Sequence, residues 1–224
     1  MLKKEDFTYI EKHLAFCEKL NDAEIQLLKN NFTSLKYNKG ENLHGVNQEC
    51  VGLILIKSGE LRVYILSEEG RDVTLYRLAE GDSCILSASC ILNNITFDVF
   101  IDAEQDTDVL LLNVGTLSIL SEKNIHVENY VNKKVAEKFS DVMWAVEQML
   151  FMSFDKRLAG FLHDEMVKIN SNKIKLTHEQ IAKYVGSARE VVSRMLKNFE
   201  TQGILKLSRG IIEITDEKKL RELL

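Results

Sequence analysis

The stretch from Leu176 to Glu200 constrains the fold of this chain more than any other part of its 224 residues. Its pattern predicts two short helices joined by a turn at Gly186. The second helix has a polar face, because residues spaced i, i+3, i+4 and i+7 point the same way. That face consists of Glu190, Ser193, Arg194 and Lys197. The opposite face is apolar and needs burial, so the segment is expected to form a helix-turn-helix on a larger core.

A capping pattern marks the start of each predicted helix. Thr177 with Gln180, and Ser187 with Glu190, fit the capping box S/T-x-x-E/Q. Small Ala182 on the first helix would let the two helices approach closely. Any amphipathic helix pair exposes polar residues, however, and Glu190 would then serve only as a cap. The residues of the helix pair alone leave that alternative open.

The polar face suits contacts with DNA bases. Arginine pairs bidentately with guanine, glutamate accepts from the cytosine amino group, and serine bonds to either kind of base edge. We therefore predict that the second helix enters the major groove of double-stranded DNA. The residues from Gly203 to Ile214 read as a hairpin behind this helix, which makes a winged helix-turn-helix with a phosphate contact at its tip. The predicted DNA contacts are Thr177, Ser187, Arg189, Glu190, Ser193, Arg194, Lys197 and Arg209.

The distribution of charge supports this placement. The whole chain has a formal net charge of −5, which argues against a nucleic-acid partner. From Asp155 to Leu224, however, 14 Lys and Arg stand against 10 Asp and Glu, a net charge of +4. The residues from Met1 to Phe154 hold 15 and 24, a net charge of −9. Positive charge is concentrated where phosphate must be bound.

The front half predicts a different architecture. After a helical region at about residues 5 to 32, short β-rich apolar runs alternate with glycine turns from Leu35 to Asn113. This pattern is typical of an antiparallel sandwich or barrel. The predicted strands are Val51–Ile56, Leu61–Leu66, Val73–Leu78, Phe97–Ile101 and Val109–Leu112.

A long helix is predicted from about Asn124 to Met152, ending near Ser153. Its apolar residues are spaced 4, 3, 4 and 3, which is a heptad seam that needs a partner helix. The seam consists of Val135, Phe139, Val142, Val146 and Met149. We expect a homodimer through this seam, because helix-turn-helix proteins commonly read two-fold operators. The alternative is packing against the chain's own β-domain.

The predicted fold class is α+β, with a β-roll effector domain (1–123), a dimerisation helix (124–152) and a winged helix-turn-helix (153–224). This order resembles the CRP/FNR family of bacterial transcription regulators over nearly the whole chain. The residues that carry the resemblance are Gly40, Gly59, Gly70, Gly81 and the string from Gly186 to Arg194. Arg189, Glu190 and Arg194 match the family's base-reading positions. Ser193 resembles the FNR branch, which implies a palindrome of TTGA-like half-sites, and the family implies RNA polymerase as a partner.

The sensory region departs from the family pattern. Members that bind cyclic AMP carry a Gly-Glu-Leu and an Arg-Ser/Thr pair, whereas Ile85-Leu86 and Phe97 stand at about those places here. A buried phosphate without its arginine would go unpaired at a cost of several kcal/mol. We expect no response to cyclic AMP. The N-terminal cysteine cluster that holds the FNR iron–sulfur group is also missing.

The predicted pocket wall is mostly apolar and bears thiols. It consists of Cys84, Ser87, Ser89, Cys90 and Phe97, closed by Met143 or Trp144. Such a pocket fits a small neutral or apolar effector, or a dithiol redox switch. The alternative is a filled roll in which both cysteines are small buried hydrophobes and DNA binding needs no ligand.

Other functions find little support in the sequence. The histidines (His13, His44, His126, His163 and His178) are scattered, so we expect neither a cupin-type metal enzyme nor any metal or cofactor. The four cysteines (Cys17, Cys50, Cys84 and Cys90) have irregular spacing and are expected to be free thiols. No signal peptide or membrane span is visible, so we expect a soluble cytoplasmic protein with no membrane partner.

Overall fold

The computed structural model describes residues 2–45, 51–85 and 99–224. It confirms the predicted α+β class, with an antiparallel roll, a long helix and a C-terminal helix-turn-helix. The chain divides into two compact units. The first comprises Met1–Leu66 and Leu75–Val142, and the second comprises Ser67–Thr74 and Met143–Leu224.

The helices and strands have the following bounds. The helices are α1 (Lys4–His13), α2 (Asp22–Asn31), α3 (Val114–Lys123), α4 (Ile125–Phe151), α5 (Phe154–Ile169), α6 (His178–Val185), α7 (Arg189–Thr201) and α8 (Glu217–Glu222), with a 3-10 turn at Ala15–Lys19. The strands are β1 (Phe32–Tyr37), β2 (Asn42–His44), β3 (Gly52–Ser58), β4 (Glu60–Leu66), β5 (Asp72–Ala79), β6 (Ser83–Cys84), β7 (Phe100–Ala103), β8 (Thr107–Asn113), β9 (Lys173–Ile174), β10 (Leu205–Ser208) and β11 (Ile211–Ile214).

Two four-stranded sheets form the roll, in the orders β1-β8-β3-β6 and β2-β7-β4-β5. Strand β3 is apolar from Gly52 to Ile56, where both of its faces are buried. Leu53 and Leu55 pack into one cluster with residues of α1, α2 and α3, whereas Ile54 and Ile56 pack into a second cluster that includes residues of β4 and β7. Successive strand residues point to opposite faces, so one strand supplies both cores.

The second unit has its own core, built from α5, α6, α7 and the sheet β10-β11-β9. The apolar face of α7 supplies Val192, Leu196 and Phe199, all of them buried. Ala182 is buried on α6, as its small size predicted. Burial of the apolar face leaves the polar face of α7 on the outside. Strands β10 and β11 pair as the predicted wing hairpin.

One of the two predicted capping boxes is confirmed. Thr177 caps α6, and its side chain exchanges hydrogen bonds with Gln180. The box at Ser187 and Glu190 is wrong, because α7 begins at Arg189 with Ala188 as N-cap and no side-chain cap. Ser187 still belongs to the turn, where its N–H donates to the carbonyl of Ala182. Glu190 therefore lies one position too early to complete a box.

Gly186 ends α6 in the left-handed conformation, with a φ of 61°. A Cβ added there would lie 3.0 Å from the terminal methyl of Met149, a flexible atom that can move. We expect Gly186→Ala to lower the free energy of unfolding by about 1–2 kcal/mol, mainly through backbone strain. Gly210→Ala is the matched comparison, since Gly210 has a φ of 73° with open space around it and should lose a similar free energy if backbone strain alone is the cause. Urea unfolding of both variants measures the difference, and a Gly186→Ala variant as stable as wild type would contradict the strain argument.

Some apolar residues of α4 pack against other parts of the same chain, and the others are exposed. Val135 and Val142 are half-buried and pack against the two clusters of the roll. Met149 is half-buried and lies beside Gly186. Three members of the predicted seam are therefore covered by their own chain. The exposed apolar residues of α4 are Ile125, Phe139, Met143, Trp144, Val146, Leu150 and Phe151.

Candidate nucleic-acid interface

The outer face of α7 carries a shallow, open concavity of about 560 Å³ between its side chains. It is lined by Arg189, Glu190, Ser193 and Arg194, four of the predicted DNA contacts. The three charged residues are exposed and Ser193 is half-buried. Within residues 2–45, 51–85 and 99–224, none of these three charged side chains forms an ion pair that would hold it away from a ligand. The helix presents two guanidinium groups, a carboxylate and a hydroxyl on one surface, which is the chemistry that base edges require.

Ser193 has a partner that the sequence analysis missed. The Nδ1 atom of His178, the first residue of α6, lies 2.7 Å from the Ser193 hydroxyl oxygen. Burial lowers the pKa of His178, and the positive charge of Arg189 lowers it further. The sequence placed His178 directly after the N-cap of α6, but nothing in its spacing points to a residue 15 positions away.

Lys197 and Glu200 connect the recognition surface to the wing. The Lys197 ammonium donates to one carboxylate oxygen of Glu200 at 2.6 Å, and the Leu207 N–H donates to the other at 2.9 Å. The bond from Lys197, followed by the bond from Leu207, lowers the pKa of Glu200. Glu200 therefore ties α7 to the first strand of the hairpin. Arg209 is exposed in the turn of that hairpin, as predicted.

The two remaining predicted contacts lie at the ends of α6. Thr177 is exposed at its N-terminus, where the hydroxyl accepts from the Gln180 N–H at 3.1 Å. Ser187 is half-buried in the turn between α6 and α7. The structure thus brings four predicted contacts together in the concavity and places the other four around it on the same two helices and the wing.

The predicted effector pocket is only partly within the described residues. Cys84 is fully buried in the apolar core of the roll. Met143 and Trp144 are exposed, at 48% and 60% of their surface. Ser87, Ser89, Cys90 and Phe97 lie outside the described residues, as does Cys50.

A partly buried tyrosine, Tyr76, which the sequence analysis missed, lies near Cys84. The pKa of Tyr76 is raised by burial first and by Cys84 next. Its hydroxyl is buried and has no oxygen or nitrogen partner within residues 2–45, 51–85 and 99–224. The Lys138 ammonium lies 4.6 Å from the centre of the Tyr76 ring and donates to Asp141 at 2.7 Å.

The described cysteines are unsuited to rapid thiol chemistry. Cys17 and Cys84 are buried, and neither forms a disulfide bond with another described residue. Burial, reinforced by the charge of Glu11, raises the pKa of Cys17 to about 12, so its reactive thiolate is scarce at neutral pH. Over the described ranges, no three His, Cys, Asp or Glu residues cluster closely enough to hold a metal ion. Within those same ranges, no helix is both long and apolar enough to span a membrane.

Comparison with known proteins places this geometry in a family. Residues 156–223 match the model of the Crp-like helix-turn-helix domain. A crystal structure from Eubacterium rectale, described as a transcriptional regulator of the crp/fnr family, superposes with a TM-score of 0.92 at 46% identity, covering 95% of this chain and 99% of that one. The fumarate and nitrate reduction regulatory protein of Yersinia pestis is 24% identical, over 91% of this chain and 84% of its own length. The cAMP-activated regulator Vfr of Pseudomonas aeruginosa is 21% identical, over 76% and 83%.

A roll, a long helix and a C-terminal winged helix-turn-helix define a DNA-binding transcription regulator. The chain belongs to the CRP/FNR family. The relatives named above are transcription regulators rather than enzymes.

Proposed function

We propose that this regulator acts as a homodimer that binds a palindromic operator with TTGA-like half-sites. The observation that carries the proposal is the exposed surface of Arg189, Glu190, Ser193 and Arg194, held outward by the buried opposite face of α7. One copy of this surface reads one half-site, and a two-fold dimer makes the operator palindromic. The half-site follows from the resemblance of this string to the FNR branch.

The exposed stripe of α4 supports the homodimer. Phe139, Met143, Val146 and Leu150 are spaced 4, 3 and 4, and their exposed fractions are 66%, 48%, 37% and 69%. A continuous apolar stripe with heptad spacing needs a second helix to cover it. The proposed seam therefore keeps Phe139 and Val146 from the predicted set. Met143 and Leu150 replace Val135, Val142 and Met149, which are covered within the chain.

For control, we propose a small effector other than cyclic AMP, with RNA polymerase as the partner in transcription. Tyr76 supports an effector, because among the described residues its buried hydroxyl meets the Cys84 thiol, a weak hydrogen-bonding group, and has no oxygen or nitrogen partner. An effector oxygen or nitrogen would satisfy this hydroxyl better than a thiol does. The fully buried Cys84 favours the second candidate, a filled roll that regulates without a ligand. An effector would act by binding one arrangement of the dimer better than the other.

The operator proposal is tested by selecting binding sites from random DNA with the full-length protein. We expect enrichment of a two-fold symmetric site whose half-sites contain TTGA or a close variant. Enrichment of single half-sites would contradict the dimer, and symmetric sites of unrelated sequence would contradict the half-site. Retention of all sequences equally would overturn sequence-specific binding itself.

The effector proposal predicts that saturating cyclic AMP changes operator affinity less than twofold, since no arginine stands where the cyclic phosphate would bind. Titration by fluorescence anisotropy measures this, and a gain of tenfold or more would refute it. Native mass spectrometry of protein from its host then separates the two candidates. A bound small molecule supports a sensor, and its absence together with unchanged DNA binding in Cys84→Ser/Cys90→Ser supports the filled roll.

A further inference from the structure

The contact between α6 and α7 at Ser193 has a chemical consequence for base reading. Ser193 lines the recognition concavity, and its hydroxyl is 2.7 Å from the His178 Nδ1 atom. A hydroxyl has one proton to donate and two lone pairs to accept with. Whatever role Ser193 takes toward His178 therefore limits the role it can take toward a base.

The two protonation states of His178 impose opposite roles on Ser193. In a neutral ring with the proton on Nε2, Nδ1 accepts from the serine hydroxyl, which leaves the oxygen lone pairs for a base amino group. In the protonated ring both nitrogens donate, so the serine oxygen accepts from Nδ1 and its own proton is free for a base acceptor. The distance of 2.7 Å matches an O–H donor better than an N–H donor, whose usual distance is about 2.9–3.0 Å.

We propose that His178 is a positioning residue that sets the hydrogen-bonding role of Ser193 and so determines which base the regulator prefers at one position of each half-site. Neutral His178 makes Ser193 an acceptor, which selects the amino groups of adenine or cytosine. Protonated His178 makes Ser193 a donor, which selects the acceptors of thymine or guanine. This inference rests on the proposed function, in which α7 lies in the major groove.

The surroundings of His178 fix the sign of the pH dependence. The charged residues on the adjoining part of α7 are Arg189, Glu190, Arg194 and Lys197, and Glu179 follows His178 on α6. After burial, Arg189 is the charge that acts on the ring, and both lower the pKa of His178 below its ordinary value of 6.5. The ring is therefore neutral at pH 7 in the free protein. DNA phosphates favour the charged form, so in the complex the change occurs at a higher pH.

The test uses a set of operators in which each half-site position carries each of the four bases in turn. The affinity of the full-length protein for every operator is measured at pH 8 and at pH 5.5. We expect one position whose preference shifts by about fivefold from adenine or cytosine toward thymine or guanine as the pH falls. His178→Asn removes the titrating group and should give the same preference at both pH values. Ser193→Ala should abolish the discrimination and its pH dependence. His163→Asn, a histidine on α5 of the same unit, should keep the wild-type shift.

Different outcomes overturn different conclusions. If the protein shows no sequence preference at either pH, the proposed function is overturned. If it shows a preference that does not change with pH, the proposed role of His178 is overturned. A pH shift that persists in Ser193→Ala would also overturn it. Nitrogen-15 NMR of the free protein gives an independent reading that needs neither DNA nor the variants. At pH 8, Nδ1 should be unprotonated, and a proton on Nδ1 would contradict the inference.

Discussion

Arg194→Ala should lose about 1–3 kcal/mol of binding free energy at the operator and relax discrimination at one base pair of each half-site. Arg194 is exposed on the outer face of α7 and stands at a position that resembles one of the family's base-reading positions. The effect should exceed that of losing one phosphate contact, because a bidentate pair with guanine is lost in each half of the dimer. Anisotropy titrations with the operator and with scrambled DNA measure both the loss of binding free energy and the loss of discrimination.

Lys218→Ala is the matched control for charge. Lys218 is exposed on α8 in the same basic unit, outside the recognition concavity. Its loss should weaken binding to operator and scrambled DNA alike and only slightly. If Arg194→Ala weakened both kinds of DNA equally, Arg194 would contact phosphate alone, and the assignment of the base-reading face would fail.

Phe139→Glu should convert the protein to monomers with weak operator binding. Phe139 is 66% exposed in the chain and lies in the middle of the apolar stripe of α4. In a two-fold seam this change buries two carboxylates near each other without partners, which costs several kcal/mol. Analytical ultracentrifugation measures the assembly, and circular dichroism verifies that the monomer stays folded. Lys133→Glu adds a carboxylate at an exposed position of α4 outside the stripe and should remain dimeric.

The Val142→Glu variant distinguishes disruption of the dimer seam from destabilisation of the chain's own core. Val142 is half-buried against the roll cluster that contains Cys84, so its replacement should destabilise the first unit as well as perturb assembly. Phe139→Glu should lower the unfolding midpoint only through loss of the dimer, and so by less than Val142→Glu does at the same protein concentration. A stable dimer of Phe139→Glu would move the interface elsewhere, and a Phe139→Glu monomer as unstable as Val142→Glu would show that Phe139 packs within the chain.

Local patterns in the sequence determined the type and position of most elements. Alternation with glycine turns predicted strands β3, β4, β5, β7 and β8 of the roll but not β1, β2 and β6. The 3.6-residue period with Gly186 and Thr177 predicted α6 and α7. The polar face of α7 was equally predictable, because residues spaced three and four apart share a face in any α-helix. Helices α3 and α8 were not predicted, since each is short and its stability comes from burial of Leu117 and Leu120, or of Leu220, in a core that other segments build.

Only the tertiary structure decided which apolar edge of α4 is covered. Apolar residues occupy two adjoining edges of this helix, and helical spacing ranks neither above the other. Packing of Val135 and Val142 against the roll leaves Phe139 and its neighbours as the open stripe. The start of α7 at Arg189 depended likewise on the turn geometry after Gly186. The bond between His178 and Ser193 joins residues on two helices, so its existence follows from their crossing, which periodicity along a single chain does not encode.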